Sequence, residues 1–182
     1  MEIWGSHGRE RLLASGQRTT VPIAEAALEA LSRAERLLED AGLTARCETK
    51  AGCIAVHHRG LDPKEAERIR QEVTHIWSQA ASTSELELKP FDGGLEFQVP
   101  GISKGTVIRH VLEEEEGAGD PILAYLGDDL TDEDAFAELR GKGLCVLVRP
   151  EFRPTQADLW LQPPSELLDF LERWNVITGD RP

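Results

Sequence analysis

A chain of 182 residues is long enough for one substantial core or two smaller lobes, and 40% hydrophobic with 29% charged residues is the make-up of an ordinary globular protein. No apolar run exceeds strand length, which excludes a transmembrane helix; Met1-Glu2-Ile3-Trp4-Gly5 lacks the basic and apolar regions of a signal peptide, so a cytoplasmic protein is expected. The net charge of −13, from 33 acidic against 20 basic residues, opposes nucleic acid and anionic membrane as partners, but not a small phosphorylated molecule, because one metal ion and one lysine reverse a local potential.

Ala27, Leu28, Leu31, Leu37 and Leu38 recur at helical spacing and predict a helix over 23–41 that stops at Gly42. Strand-like stretches at 43–48 and 53–58 follow, with Lys50-Ala51-Gly52 as a hairpin turn between them. Asp62, a good N-cap ahead of Pro63, starts a second helix that runs to about residue 80. Short strands at 86–89 and 95–99 are joined through Phe91-Asp92-Gly93-Gly94. The order αββαββ is that of a small sheet with helices on one face.

After Pro100-Gly101 the rhythm changes. A helix over 103–116, a strand at 122–126, a helix over 131–139, a strand at 144–148, a strand-like stretch at 158–161 and a last helix over 165–174 alternate along the chain. Alternation with continuous apolar strands predicts a parallel, doubly wound α/β sheet, whose ligands sit beyond the carboxyl ends of the strands.

At one such end stands Gly127-Asp128-Asp129-Leu130-Thr131-Asp132-Glu133. Four carboxylates in seven residues repel one another unless a cation compensates, and a hard divalent ion such as Mg²⁺ accompanied by a phosphate is the usual partner. Asp128 at the strand tip and Asp132 one helical turn on can face one ion. Thr131 and Asp134 also fit a capping box, so part of the cluster has a purely structural explanation. Lys104 opens the helix that begins at Ser103-Lys104-Gly105-Thr106. A cation in a first turn opposes the helix dipole, but beside a phosphate the lysine and the helix N-terminus act together.

Cys47, Cys53 and Cys145 form no C-x-x-C and are odd in number, which predicts reduced thiols, with a Cys47–Cys53 bridge as a lesser alternative. His75 and His110 fall within helices, Glu113 to Glu116 read as a solvated face, and Trp4, Trp77, Trp160 and Trp174 read as packing.

The run from Tyr125 through Asp134-Ala135-Phe136 closely resembles the last motif of the trehalose-6-phosphate phosphatases, members of the haloacid dehalogenase (HAD) superfamily of Mg²⁺-dependent aspartyl phosphotransferases. Gly5-Ser6-His7-Gly8-Arg9-Glu10 is similar to the family's G-x-H-G-x-E segment, Glu48-Thr49-Lys50 to its E-x-K, Val56-His57-His58-Arg59 to its V-x-H-Y-R, and Lys104-Gly105 to its lysine motif. These segments occur in order over nearly the whole chain.

The resemblance implies a partial Rossmann-like core with a parallel sheet plus an inserted αββαββ cap. Residues 1–18 would be a core segment leading into the cap, 19–99 the sugar-recognising cap, and 100–182 the C-terminal half of the core. By the same resemblance Asp128 and Asp132 hold Mg²⁺ directly or through water with Asp129 supporting, and Lys104 stabilises the transferring phosphoryl group. His7, Gly8, Glu10, Glu48, Lys50, Arg59 and Glu96 would serve the sugar of trehalose 6-phosphate. Without the resemblance, Glu48 and Lys50 read as an exposed ion pair worth little.

The family's chemistry begins at a D-x-D-G-T motif, whose first aspartate attacks phosphorus, and continues at a Ser or Thr motif; neither occurs here. Asp132-Glu133-Asp134 alone has the D-x-D spacing, and it falls at a helix start. His58 replaces the family's usual Tyr and Gln98 its usual Arg. Two readings follow. Either the nucleophile is carried by a preceding segment or another chain of a trehalose-6-phosphate phosphatase, or the chain is a non-catalytic sugar-phosphate-binding or regulatory module.

Overall fold

Three strands that no apolar alternation announces open the chain in the computed structural model, which describes residues 1–82, 84–115 and 122–179. They are β1 (Ile3–Gly5), β2 (Glu10–Leu12) and β3 (Arg18–Thr20), paired antiparallel in that order. Each is three residues long, and β3 is exposed throughout, so the period-2 signal of a half-buried strand has nothing to build on. The chain forms two compact units, Met1–Ile102 and a second from Ser103 onward.

In the first unit Ala27, Ala30, Ala34 and Leu38 are the buried row of α1 (Glu25–Asp40), and Ile69, Val73, Ile76 and Ala80 that of α2 (Pro63–Ala80). Asp62 caps α2 by accepting hydrogen bonds from the backbone N–H groups of Lys64 and Glu65 at 3.0 and 3.2 Å. Both helices pack on a four-stranded antiparallel sheet of β4 (Cys47–Lys50), β5 (Cys53–His57), β6 (Glu87–Phe91) and β7 (Gly94–Gln98), in the order β4-β5-β7-β6. Residues 44–46, expected as strand, form a 3₁₀ turn before β4. Side chains alternate across a pleated strand, so Ile54, Val56, Leu88, Leu95 and Phe97 face the helices. Their neighbours Glu48, Lys50, Cys53, Ala55, Glu96, Gln98 and Lys89 share the opposite face.

Gly94 is fixed by sterics. A β-carbon there would lie 2.4 Å from the Val56 carbonyl oxygen and 2.1 Å from the Phe91 ring. A Gly94→Ala variant is expected to lose about 1–3 kcal/mol, the usual cost of overpacking, read as a lower urea midpoint. An unchanged midpoint would show that β6 and β7 separate without cost.

In the second unit β8 (Ala124–Gly127), β9 (Leu144–Val148) and β10 (Leu159–Leu161) form a parallel sheet in the order β10-β9-β8. Ile108 and Leu112 of α3 (Lys104–Glu115) and Phe136 and Leu139 of α4 (Glu133–Leu139) pack with Cys145, Leu123 and Tyr125. Glycine 105 lets α3 meet α4: a β-carbon on it would fall 2.6 Å from the Asp134 carbonyl oxygen. The chain ends its described part in α5 (Ser165–Gly179), five residues longer than the periodicity suggested. Residue 116, the end of the expected third helix, lies outside the described residues, as does residue 121 ahead of the expected strand. The three cysteines are free thiols.

The capping expected of Thr131 and Asp134 is corrected. Asp129 is the N-cap of a 3₁₀ turn, Leu130–Asp132, and reciprocates with Asp132 in a capping box two residues earlier than expected. The tight first turn shortens α4, because the chain must bend back so that the Asp132 carboxylate reaches the end of β8.

Candidate active site

Asp132 is 2% exposed, and both its oxygens are engaged. Oδ1 accepts from Lys104 Nζ at 2.6 Å and from the Tyr125 hydroxyl at 2.7 Å. Oδ2 accepts from the backbone N–H groups of Asp128 and Asp129 at 2.9 and 2.8 Å. Burial pushes this carboxyl up, but Lys104, Tyr125 and the Asp129 N–H outweigh it and hold it below the usual carboxylate range. The Tyr125 hydroxyl is pushed up by burial and by the same carboxylate, and so stays a donor. Gly127 makes the arrangement possible: its missing β-carbon would stand 2.4 Å from Asp132 Cγ.

Glu133 is likewise occupied, accepting from Arg153, from the Thr155 hydroxyl at 2.8 Å and from the Gln156 N–H at 2.8 Å. Arg153 also donates to the Asp129 carbonyl at 2.7 Å. Two of the four carboxylates in the acidic run therefore organise the loop. Asp128 is exposed and its carboxylate has no partner among the described residues, while Asp129 is half-buried and accepts from the Thr131 N–H at 3.3 Å. An oxygen-only pair of this kind fits Mg²⁺, which takes one or two carboxylates and fills its other positions with water and phosphate. Lys104, whose side chain is 31% exposed, spends one donor on Asp132 and keeps two for an anion. Arg153 and Tyr125 were missed by sequence reasoning. Tyr125, two residues before Gly127 on the strand, carried the only available signal.

The first unit presents its own polar surface. Glu48, Ala55, Glu96 and Lys89 are in register across the four strands of the sheet, with small Ala55 as the floor between the two glutamates. Lys50 Nζ lies 3.0 Å and His57 Nε2 3.3 Å from the Glu48 carboxylate. The hydrogen bond from Lys50 holds Glu48 below its usual range, and Glu48 raises Lys50 in return. Both are exposed, so the pair contributes little to stability and is available to a ligand.

His7 reaches the same face from the turn between β1 and β2. Ser6 and His7 have φ of 49° and 59°, a left-handed conformation that residues other than glycine rarely adopt, and Gly8 follows at φ 108°. The turn brings His7 Nε2 to 2.9 Å from Glu96 Oε1. The Ser6 hydroxyl donates to Glu10 Oε2 at 2.6 Å, which turns Glu10 back onto its own turn. Arg9, which sequence reasoning passed over, is 4% exposed and donates to the Val99 carbonyl at 2.7 Å, tying the turn to the sheet. Among the described residues no hydrogen bond or ion pair brings Arg59 to this face: it is exposed, covers Gly93 and donates to the Asp92 carbonyl in the β6–β7 turn.

Comparison with known proteins bears on both surfaces. The trehalose-phosphatase family model matches residues 1–164. Probable trehalose-phosphate phosphatase D of Arabidopsis thaliana is 36% identical over 135 residues, which are 71% of this chain and 36% of that protein. The chain thus spans little more than a third of that relative's length. The C-terminal domain of C. albicans trehalose-6-phosphate phosphatase shares the fold with a TM-score of 0.71 at 19% identity, over 95% of this chain and 69% of that one. A HAD subclass IIB sugar phosphatase also shares it, with a TM-score of 0.53 at 11% identity over 95% of this chain and 74% of that one.

Proposed function

This chain belongs to the trehalose-phosphatase family, and on that footing we propose that it serves the Mg²⁺-dependent hydrolysis of trehalose 6-phosphate to trehalose and phosphate. Residues 19–99 are assigned to the sugar-recognising cap, and 1–18 with 100–182 to the HAD-type core. The observation that carries the phosphate side is the Asp132 carboxylate, which accepts from Lys104, from Tyr125 and from the N–H groups of Asp128 and Asp129 and so holds the lysine at the end of β8.

In this reading Asp128 and Asp129 hold Mg²⁺, and Asp132 acts through Lys104 and the loop it shapes, since its own oxygens are already engaged. Bound there, the ion offsets negative charge on the phosphoryl group. Lys104 donates to the phosphoryl oxygens. Glu48, Lys50 and Glu96 hydrogen-bond sugar hydroxyls from the sheet face, with His7, Gly8 and Glu10 at its margin and Arg59 outside the hydrogen-bonded set. The nucleophilic carboxylate is assigned to a segment outside these 182 residues. A cytoplasmic location is part of the same proposal; among the described residues no helix is long and apolar enough to cross a membrane.

Calorimetric titration tests the assignment. Trehalose 6-phosphate in Mg²⁺ is expected to bind, and Lys104→Met to weaken it about tenfold or more, the loss of a charge-assisted hydrogen bond. Trehalose itself is expected to be indifferent to Lys104→Met and sensitive to Glu48→Gln. Equal binding of trehalose 6-phosphate and inorganic phosphate, or none of either sugar, would overturn the reading.

A further inference from the structure

One cluster lies apart from the acidic loop. Cys53 on β5 and Glu96 on β7 are diagonal neighbours on the polar sheet face, and the left-handed turn delivers His7 to the same spot. Their ligand atoms all lie within 4.8 Å of one another, the one such group of three among the described residues. We propose that His7, Cys53 and Glu96 bind a divalent cation of the zinc class through nitrogen, sulfur and oxygen.

Glu96 supplies the first reason. The residue is 4% exposed, and its buried Oε1 has no aligned hydrogen-bond donor, although His7 Nε2 stands 2.9 Å away. The Glu96 carboxylate faces His7 and the Cys53 thiol, and a cation shared by the three would replace a poorly aligned contact with direct bonds. The thiol supplies the second. Cys145 turns its sulfur to the Phe136 carbonyl inside an apolar core, whereas Cys53, 1% exposed, turns its own toward a carboxylate. Burial and Glu96 both push that thiol up, and the neighbouring cations Arg9 and Lys50 are engaged elsewhere, Arg9 with the Val99 carbonyl and Lys50 with Glu48. A divalent cation compensates both thiolate and carboxylate.

The turn is the third reason. Two consecutive non-glycine residues at positive φ are strained, and such strain collects at sites that hold a ligand.

The donor set chooses the ion. Sulfur and imidazole suit zinc and its neighbours, while Mg²⁺ wants oxygen alone, so this site and the Asp128–Asp129 pair select different metals. Zinc bond lengths of about 2.0–2.3 Å place tetrahedral ligand atoms roughly 3.5 Å apart, so small side-chain shifts close the cluster. Three protein ligands leave one position open to water or a hydroxyl. The site does not depend on the sugar reading, but where both hold, ion and sugar compete for His7 and Glu96.

Cobalt(II) tests the site in the presence of excess Mg²⁺, which occupies oxygen-only positions. The intact chain is expected to show a thiolate-to-cobalt charge-transfer band in the near ultraviolet that saturates at one ion per chain and is displaced by Zn²⁺. Cys53→Ser and His7→Ala are each expected to abolish the band and weaken binding by about 100-fold, at least what a lost outer partner costs a metal site. Cys47→Ser and Cys145→Ser should keep it. Circular dichroism establishes that each variant is folded, and His7→Ala, in a surface turn, carries the test if Cys53→Ser is not. A chain without the band, or a band that survives Cys53→Ser or His7→Ala, would overturn the site while leaving the trehalose titration untouched.

Discussion

Replacing Asp132 with alanine is expected to destabilise the unit from Ser103 onward by about 3 kcal/mol or more, in the range for breaking a buried ion pair from one side. The substitution removes the acceptor for four donors at once. Lys104 is 31% exposed at its side chain and can turn to water, so its part of the loss is small. The Tyr125 hydroxyl and the N–H groups of Asp128 and Asp129 lose a shared acceptor in a part-buried site, and each of them left unpartnered away from water costs about 1–3 kcal/mol. Asp132→Asn, which keeps one acceptor but turns an amide donor toward the other donors, is expected to fall between wild type and alanine. Urea unfolding followed by circular dichroism reads the difference.

The pH dependence has a definite sign. The folded carboxyl lies below its ordinary value of 3.8, so its contribution is complete above that value and lost as pH falls through the lower, folded one. The wild-type chain should therefore lose stability more steeply than Asp132→Ala below about pH 4. A loss under about 1 kcal/mol in Asp132→Ala, or parallel acid profiles, would mean that the loop is organised by something else.

Helices and buried strands were legible where burial writes a period into the sequence. The alanine and leucine row of α1, the Asp62-Pro63 start of α2 and the apolar runs of β8 and β9 are of that kind. Strands β1 to β3 were not, because each is only three residues long and none shows an alternation of buried and exposed positions. The acidic run reads in sequence as a metal-binding cluster, and spacing alone does not sort its members. Asp132 at strand tip plus four fits a metal ligand and a loop organiser equally well, and only the position of Tyr125 and Lys104 shows that its lone pairs are engaged. The cluster of His7, Cys53 and Glu96 was hidden for a different reason. Its members are 46 and 43 residues apart in sequence, and they meet through strand register and through a turn whose positive φ no residue type in Ser6-His7 announces.

The purified 182-residue chain is expected to release no phosphate from trehalose 6-phosphate above the protein-free background. The single D-x-D spacing, Asp132-Glu133-Asp134, offers no attacking group: Asp132 has both oxygens engaged, and Asp134 is exposed in the first turn of α4. Loss of a nucleophile costs on the order of 10⁶ in kcat where it has been measured by substitution, which the remaining Lys104 and a bound ion would not recover. Within the unit from Ser103 onward, β8 is the edge strand of its sheet among the described residues, and the acidic loop follows from its end. Adding in trans a segment that bears D-x-D-G-T is therefore expected to produce phosphate release that is lost again in Lys104→Met. If the chain alone hydrolyses the substrate, the attacking group lies within these 182 residues and its assignment to an outside segment falls. If the chain binds trehalose but no added segment restores hydrolysis, the balance moves to a sugar-phosphate-binding module. In that outcome the Lys104–Asp132 pair serves recognition of the phosphate and not its transfer.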